Sequence, residues 1–227
     1  MKILALETTT ESGSCALWRD GDLTSADCPA GRPHSETLIP LAQRLLTEAD
    51  CGFAGLDAIA FGMGPGAFTG LRVACGVAQG MAVALGVPVL PIGSLEAMAW
   101  SDGSERVLSL LDARMGEIYG GAFMRGDGGM IAVGAPVVCA PDTLVLPEGE
   151  EWRAVGNALA THPQLAARLS GWLPRPDLLP HAKSVAELGA LAFLRGEAID
   201  PALAAPRYVR DKVARTTAER LQAGGRA

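Results

Sequence analysis

The order of the predicted elements is the feature that most constrains the fold. Residues 1–103 read as three short strands, then a helix, a strand, a helix, a strand and a helix. After the turn at 101–104 the order restarts with three strands, and each unit opens with a strand that ends in a carboxylate, Glu7 or Asp112. This repetition predicts an α/β fold of two duplicated units with mixed sheets, at 1–103 and 104–205, and a basic C-terminal segment at 206–227. An ordinary α/β chain without duplication is the alternative.

Hydrophobic periodicity and turn residues give the expected bounds of single elements. Ser35 is expected to cap a helix that ends at about Ala49, in which Leu38, Leu41 and Leu45 form one apolar stripe. Further expected elements are a strand from Leu56 to Phe61, a helix over 69–85, a strand from Met130 to Cys139, a helix from Leu159 to Leu169, a Pro-rich connection over 174–180 and a helix from Val185 to Leu194.

Composition excludes several classes of protein. With 49% hydrophobic and 19% charged residues among 227, the chain is globular rather than disordered. Aromatic residues make up only 5% and the net charge is −6, which disfavours a base-stacking surface or a broad phosphate footprint. Five scattered cysteines without a C-x-x-C pair are typical of free thiols in a reducing cytoplasm. The nearly uncharged stretch 73–93 is interrupted by prolines, so it predicts a buried helix and strand rather than a membrane span.

The glycine-rich loop 62–70 lies between a predicted strand and a predicted helix. Glycines such as Gly64 and Gly66 let a ligand approach the backbone, and the helix N-terminus that follows favours an anion. No Lys-Ser or Lys-Thr pair follows the last glycine, so the loop is not a P-loop. A phosphate or nucleotide contact and a tight turn without a ligand both remain open.

Small residues recur at intervals of four on two faces of the helix over 69–85. Ala74 and Ala78 belong to one set, and Gly76 and Gly80 to the other. Packing on a sheet uses one face, so the second face is a candidate for contact with another chain. Burial on both sides within one domain is the alternative.

No arrangement of nucleophile, base or metal ligands stands out in the sequence. The three histidines lack metal-ligand spacing, and there is no H-E-x-x-H or G-x-S-x-G motif. Glu7 and Asp112 could flank a cleft and hold a magnesium–nucleotide, although solvated carboxylates at strand ends are common. The basic residues from Arg207 onwards could contact RNA or an acidic partner, or form a solvated basic helix.

Four motifs in fixed order resemble the TsaB (YeaZ) family, which serves in making threonylcarbamoyladenosine at position 37 of tRNAs that read ANN codons. They are Ile3-Leu4-Ala5-Leu6-Glu7-Thr8, His34-Ser35-Glu36-Thr37-Leu38-Ile39-Pro40, Gly64-Pro65-Gly66-Ala67-Phe68-Thr69-Gly70-Leu71-Arg72 and Leu111-Asp112-Ala113-Arg114-Met115-Gly116-Glu117-Ile118-Tyr119, with a weaker echo at Pro206-Arg207-Tyr208-Val209-Arg210.

The resemblance implies the ASKHA (actin, Hsp70, sugar kinase) fold, with a cleft between two α/β units. The catalytic relative TsaD carries a metal-binding H-x-x-x-H, where this chain has Ser94 and Met98. A hydroxyl and a thioether are poor ligands for such an ion, so the resemblance implies no metal, no catalytic residue and no tightly bound cofactor. ATP is expected only at the interface of a complex. Residues that could then contact the nucleotide or its phosphates are Glu7, Thr8, Gly64, Pro65, Gly66 and Asp112.

The implied role is that of a non-catalytic subunit that forms a heterodimer with a TsaD homologue. A TsaE-type ATPase would join the pair, tRNA would be reached only through the complex, and the chain alone would form a homodimer through the same face. The implied interface comprises Leu38, Leu41, Leu45, Ala74, Gly76, Ala78, Gly80 and Met81. The competing hypotheses are an ASKHA-type ATPase or kinase that acts alone, a metallopeptidase and a direct tRNA-binding module.

Overall fold

The computed structural model describes residues 1–210, so most of the predicted basic segment 206–227 lies outside the described residues. The strands are β1 (Lys2–Glu7), β2 (Ser14–Arg19), β3 (Asp22–Asp27), β4 (Ala58–Gly64), β5 (Val89–Gly93), β6 (Arg106–Arg114), β7 (Glu117–Gly126), β8 (Gly129–Ala132), β9 (Val137–Cys139), β10 (Arg153–Val155) and β11 (Leu173–Arg175). The helices are α1 (His34–Glu48), α2 (Phe68–Leu85), α3 (Ser94–Asp102), α4 (Ala158–Thr161), α5 (Gln164–Arg168) and α6 (Ala182–Leu194).

The two sheets repeat one topology. The first has the order β3-β2-β1-β4-β5, and the main path of the second is β8-β7-β6-β10-β11. In each, the central strand pairs antiparallel with the strand that follows it and parallel with a strand that comes later in the chain. The prediction of two duplicated α/β units with mixed sheets is therefore confirmed.

Five layers stack in the order helices, sheet, helices, sheet, helices. Alternation along β1 directs Leu4 and Leu6 to the outer side, where α1 and α2 pack, and Ile3 and Ala5 to the inner side, where α6 packs. Along β6 the same alternation directs Val107 and Leu111 towards α3, while Leu108 and Leu110 contact α4 and α5. The middle layer of α3 and α6 joins the two units.

The chain returns to the first sheet after residue 181. Helix α6 buries Val185 and Ala186 against the inner face of β1 and β4, and Gly189 lies where a Cβ would be 2.9 Å from Ala60. A β-bridge joins Ile199 to Val89 on β5. The expected second unit of 104–205 is therefore wrong for residues 182–205, because the apolar face of α6 finds its complement on the first sheet.

Helix α1 begins two residues earlier than an N-cap at Ser35 implies. Its N-cap is Pro33, and Ser35 lies inside the first turn without a capping hydrogen bond, so the capping role expected for Ser35 is wrong. Proline fixes φ near the helical value and leads directly into the helix.

Proline and glycine also divide two elements that were expected to be continuous. The helix expected from Leu159 to Leu169 is two short helices, because Pro163 interrupts it between α4 and α5. The strand expected from Met130 to Cys139 is β8 and β9, separated at Gly134, whose φ is +84°. Within the expected Pro-rich connection, residues 174 and 175 belong to β11.

Candidate functional site: an inter-unit cleft and an apolar groove

Glu7 lies at the end of β1 and is completely buried. The backbone N–H of Thr9 donates to Oε1 at 2.6 Å, and the Ser94 hydroxyl donates to Oε2 at 3.1 Å. The backbone N–H of Gly64 in turn donates to the Ser94 Oγ at 3.2 Å. Burial raises the pKa of Glu7 above its ordinary value, while the hydrogen bonds from Thr9 and Ser94 act in the opposite direction. Glu7 therefore connects β1, the glycine-rich loop and α3, and it lies outside the lining of the cleft described below.

The glycines of the loop make room for the protein's own chain. A Cβ on Gly62 would lie 2.0 Å from the Glu7 carboxylate, one on Gly66 would lie 2.4 Å from the Thr9 carbonyl, and one on Gly70 would lie 1.8 Å from the Thr8 carbonyl. The backbone N–H of Ala67 donates to the Thr9 carbonyl at 2.7 Å. The close backbone approach that the glycines predicted is thus present, but its occupant is the segment after β1.

The six residues expected to contact a nucleotide separate into two groups. Pro65, Gly66 and Asp112 line a cavity of about 290 Å³ between the units, at the carboxyl ends of β1, β4 and β6. Glu7 and Thr8 are buried, and a Cβ on Gly64 would meet the Leu71 side chain at 2.5 Å. The protein's own chain crowds these three residues and keeps them out of the cavity lining. The nucleotide contact expected for Glu7, Thr8 and Gly64 is therefore wrong.

Asp112 forms the polar centre of the cleft. Its Oδ1 lies 3.1 Å from the His162 Nε2 and accepts from the Arg114 backbone N–H at 3.1 Å. Its own backbone N–H donates to the Asn157 side chain at 2.9 Å. Within residues 1–210, no three His, Cys, Asp or Glu side chains converge as metal ligands would.

Residues Arg207–Arg210 cross the mouth of the cleft. The backbone N–H of Arg207 donates to the Met63 carbonyl at 2.7 Å in the first unit. At the other end, the Arg210 guanidinium donates to the Ala113 carbonyl at 3.1 Å and to a Glu117 carboxylate oxygen at 2.5 Å in the second unit. This strap forms one wall of the cavity. Its role was missed at the level of sequence, where only the weak motif echo at 206–210 marked it.

The outer face of α1 and α2 carries an open apolar groove. It is lined by Ile39, Phe53, Gly76, Val77, Gly80, Met81, Ala84 and Leu85. Of the expected interface residues, Gly76, Gly80 and Met81 line this groove. The other five are buried in the core between these helices and the first sheet, so the interface contact expected for them is wrong: Leu38, Leu41, Leu45, Ala74 and Ala78.

No close contact within the described chain requires a glycine at Gly76 or Gly80. A Cβ on either would find no atom within 4 Å. Glycine in a helix interior costs about 1 kcal/mol relative to alanine, so two such positions on an exposed face call for another explanation. Helix α2 also has the length and mean hydropathy of a membrane span, although a third of its residues are buried in the protein. Its apolar character therefore comes from two apolar faces, one on the sheet and one on the groove.

Two sheets of one topology that enclose a cleft at their strand ends define the ASKHA class of two-unit α/β proteins. Residues 29–218 match the family model described as "TsaD: tRNA N6-adenosine threonylcarbamoyltransferase".

Relatives that match over nearly their whole length show to which family within this class the chain belongs. The Escherichia coli "tRNA threonylcarbamoyladenosine biosynthesis protein TsaB" is 34% identical, with 94% of this chain and 96% of that protein covered. The Haemophilus influenzae protein of the same name is also 34% identical, with 94% and 95% covered. The solved structure of YeaZ from Pseudomonas aeruginosa superposes with a TM-score of 0.85 at 37% identity, with 91% of this chain and 99% of that chain covered. The chain belongs to the TsaB family.

Proposed function

We propose that this chain is the non-catalytic partner subunit of a TsaD-type transferase, and that it is required for threonylcarbamoylation of adenosine 37 in ANN-decoding tRNAs. The names of its full-length relatives support the pathway, and the match to the TsaD model supports common ancestry with the transferase. The observation that best supports the partner role is the exposed apolar groove lined by Gly76 and Gly80. An exposed apolar groove on small residues admits the backbone of a partner helix at close range.

The rest of the assembly follows from the same proposal. A TsaE-type ATPase would join the heterodimer, and tRNA would be reached through the complex, in the cytoplasm. Without the transferase, the same groove would pair two copies of this chain, because exposed apolar surface favours association.

Reconstitution tests this function. Transferase, TsaE-type ATPase, adenylate synthase, tRNA, threonine, bicarbonate and ATP are mixed with and without this chain, and the modified adenosine is measured. We expect product only when the chain is present. Product formation at the same rate without the chain would contradict the proposal.

A leucine in the groove tests the surface. Gly80→Leu would place a branched side chain where the partner backbone has to approach, so we expect heterodimer formation to be lost while the chain stays folded. Ala160→Leu is the matched control, because it adds the same side chain at an exposed position of α4 in the second unit. Co-purification with the transferase and the thermal midpoint of each variant are the readouts. Undiminished pairing of Gly80→Leu would contradict this surface.

The cleft supports a second candidate, an ASKHA-type ATPase or kinase that acts alone. Asp112 lines the cavity beside Pro65 and Gly66, where a nucleotide would lie between the units. Hydrolysis of ATP by the purified chain, with loss of the activity in Asp112→Asn, would favour this candidate over the partner role.

A further inference from the structure

The strap over the cleft contacts the first unit through its backbone and through one aromatic side chain. The Arg207 N–H donates to the Met63 carbonyl at 2.7 Å, and a Cβ on Gly64 would lie 3.1 Å from the Arg207 carbonyl. The Tyr208 hydroxyl accepts a hydrogen bond from the Arg72 Nε on α2 at 3.0 Å. The first half of the strap is therefore attached to the glycine-rich loop and to the helix that follows it.

Arg210 attaches the other end of the strap to the β6–β7 hairpin of the second unit. Its guanidinium donates to the Ala113 carbonyl at 3.1 Å and to a Glu117 carboxylate oxygen at 2.5 Å. The Arg210 side chain is 16% exposed, so solvent screens this ion pair less than a pair on the open surface. Charge-assisted hydrogen bonds are about twice as strong as neutral ones, so this single side chain makes a firm attachment.

The hairpin that Arg210 contacts has an unfavourable backbone conformation. Arg114 has a φ of +63° and Met115 a φ of +55°, in the left-handed region that residues other than glycine rarely adopt. Their side chains are 81% and 67% exposed, so burial of these side chains does not compensate for the strain. The two acceptors of Arg210, on Ala113 and Glu117, lie on either side of the strained pair. The strap therefore stabilises a hairpin that would otherwise relax.

The closed cleft also leaves a polar group without a partner. Thr9 lines the cavity and is only 1% exposed, and its hydroxyl has no hydrogen-bond partner within residues 1–210. A buried hydroxyl without a partner costs free energy, which the access of water would recover. The cavity of about 290 Å³ is also at the lower limit of the roughly 300–1,000 Å³ that is usual for ligand sites. Opening of the cleft would hydrate Thr9 and make room for a larger molecule.

We propose that the strap is an intramolecular latch that holds the two units in the closed arrangement. The contacts of Arg207, Tyr208 and Arg210 favour the closed cleft, whereas the strained hairpin and the unpaired Thr9 hydroxyl favour an open one. When the strap is released, the β6–β7 hairpin and the glycine-rich loop separate. The latch thereby limits the size of the molecule that the cleft admits. This inference goes beyond the partner role and does not depend on it.

Amide hydrogen exchange of the full chain, resolved by NMR, tests the latch. The reporters are the Arg207 N–H, bonded to the Met63 carbonyl, and the Arg114 N–H, which donates to the Asp112 Oδ1 at 3.1 Å. We expect Arg210→Ala to speed the exchange of both reporters about ten-fold or more, because it removes the charge-assisted hydrogen bonds to the hairpin. The amides of β1 should exchange as in the parent, because a local opening leaves the central strand paired.

A second arginine provides the matched control. Arg195 also donates to a glutamate, Glu197, and to a backbone carbonyl, that of Gly128, but it lies outside the cavity lining. Arg195→Ala should therefore leave the exchange of the two reporters unchanged. High salt should speed the exchange of the Arg207 N–H in the parent but not in Arg210→Ala, because screening weakens the ion pair that this variant lacks.

A milder variant and the behaviour of the core separate a latch from a general loss of stability. Tyr208→Phe removes only the hydroxyl that accepts from Arg72, so it should speed the exchange of the reporters by less than Arg210→Ala does. Exchange of the reporters in Arg210→Ala within twofold of the parent would overturn the latch. An equal rise in β1, or failure of Arg210→Ala to fold, would also overturn it, because the strap would then stabilise the whole fold.

Discussion

Glu7 ends the central strand of the first sheet and Asp112 lies two residues before the end of the central strand of the second, but the two carboxylates have contrasting surroundings. Glu7 is fully buried beneath the glycine-rich loop, with Thr9 and Ser94 as hydrogen-bond donors. Asp112 lines the inter-unit cavity, and its Oδ1 lies 3.1 Å from the His162 Nε2. Packing therefore makes the Glu7 carboxylate a structural connector, whereas the Asp112 carboxylate lines a cleft.

The outer faces of the two sheets differ in a related way. Two long helices, α1 and α2, cover the first sheet and leave an apolar groove between them. The second sheet is covered by α4 and α5, of four and five residues, together with connecting loops. The first unit therefore offers the longer and more regular surface to a partner helix.

The largest effect on stability should come from adding a side chain to a glycine beneath the loop, where there is no room for one. Gly70→Ala would place a Cβ 1.8 Å from the Thr8 carbonyl, and backbone cannot move away cheaply, so we expect a loss of about 3 kcal/mol or more in the free energy of unfolding. Gly76→Ala on the same helix is the control. It meets no atom within 4 Å and should gain about 0.5–1 kcal/mol. Urea denaturation measures both, and equal effects would break the distinction between the two faces of α2.

A smaller effect should follow from removing the hydroxyl that joins the loop to Glu7. Ser94→Ala leaves the buried Gly64 N–H without its acceptor and removes one donor to the carboxylate, so we expect a loss of about 1–3 kcal/mol. Ser101→Ala, at an exposed position of the same helix, should stay within about 0.5 kcal/mol of the parent. A neutral Ser94→Ala would show that the Glu7 network does not hold the loop in place.

The smallest effect concerns the pH dependence of stability. Because the folded pKa of Glu7 is raised above its ordinary value of 4.5, the folded protein binds this proton more tightly than the unfolded chain. The stability that comes from this tighter proton binding is fully present below pH 4.5 and is lost as the pH rises through the folded pKa of Glu7. Glu7→Gln lacks this titration, so its free energy of unfolding relative to the parent should rise with pH above 4.5. Urea denaturation from pH 4 to pH 8 measures the difference in the free energy of unfolding between Glu7→Gln and the parent. A difference that stays constant with pH would contradict a raised pKa for Glu7.

Much of the candidate site could be predicted from sequence because its signals are local. The glycine-rich loop, the small-residue stripe and the strand-end carboxylates each follow from residues close together in the chain. What occupies the loop could not be predicted in this way, because the Thr8 and Thr9 carbonyls reach Gly70 and Gly66 from about sixty residues away. The strap over the cleft could not be predicted for the same reason, because Tyr208 accepts a hydrogen bond from Arg72, which is 136 residues away in the chain.

The sequence by itself determined the element order, the duplication and the family, because hydrophobic periodicity and ordered motifs are written along the chain. Tertiary structure alone decided which stripe of α2 is buried, that α6 returns to the first sheet, and that Glu7 is enclosed while Asp112 faces the cleft. These outcomes depend on which apolar faces complement each other in space. Gly76 and Ala78 are similar small residues in the sequence, and only the position of the first sheet against α2 leaves one exposed and the other buried.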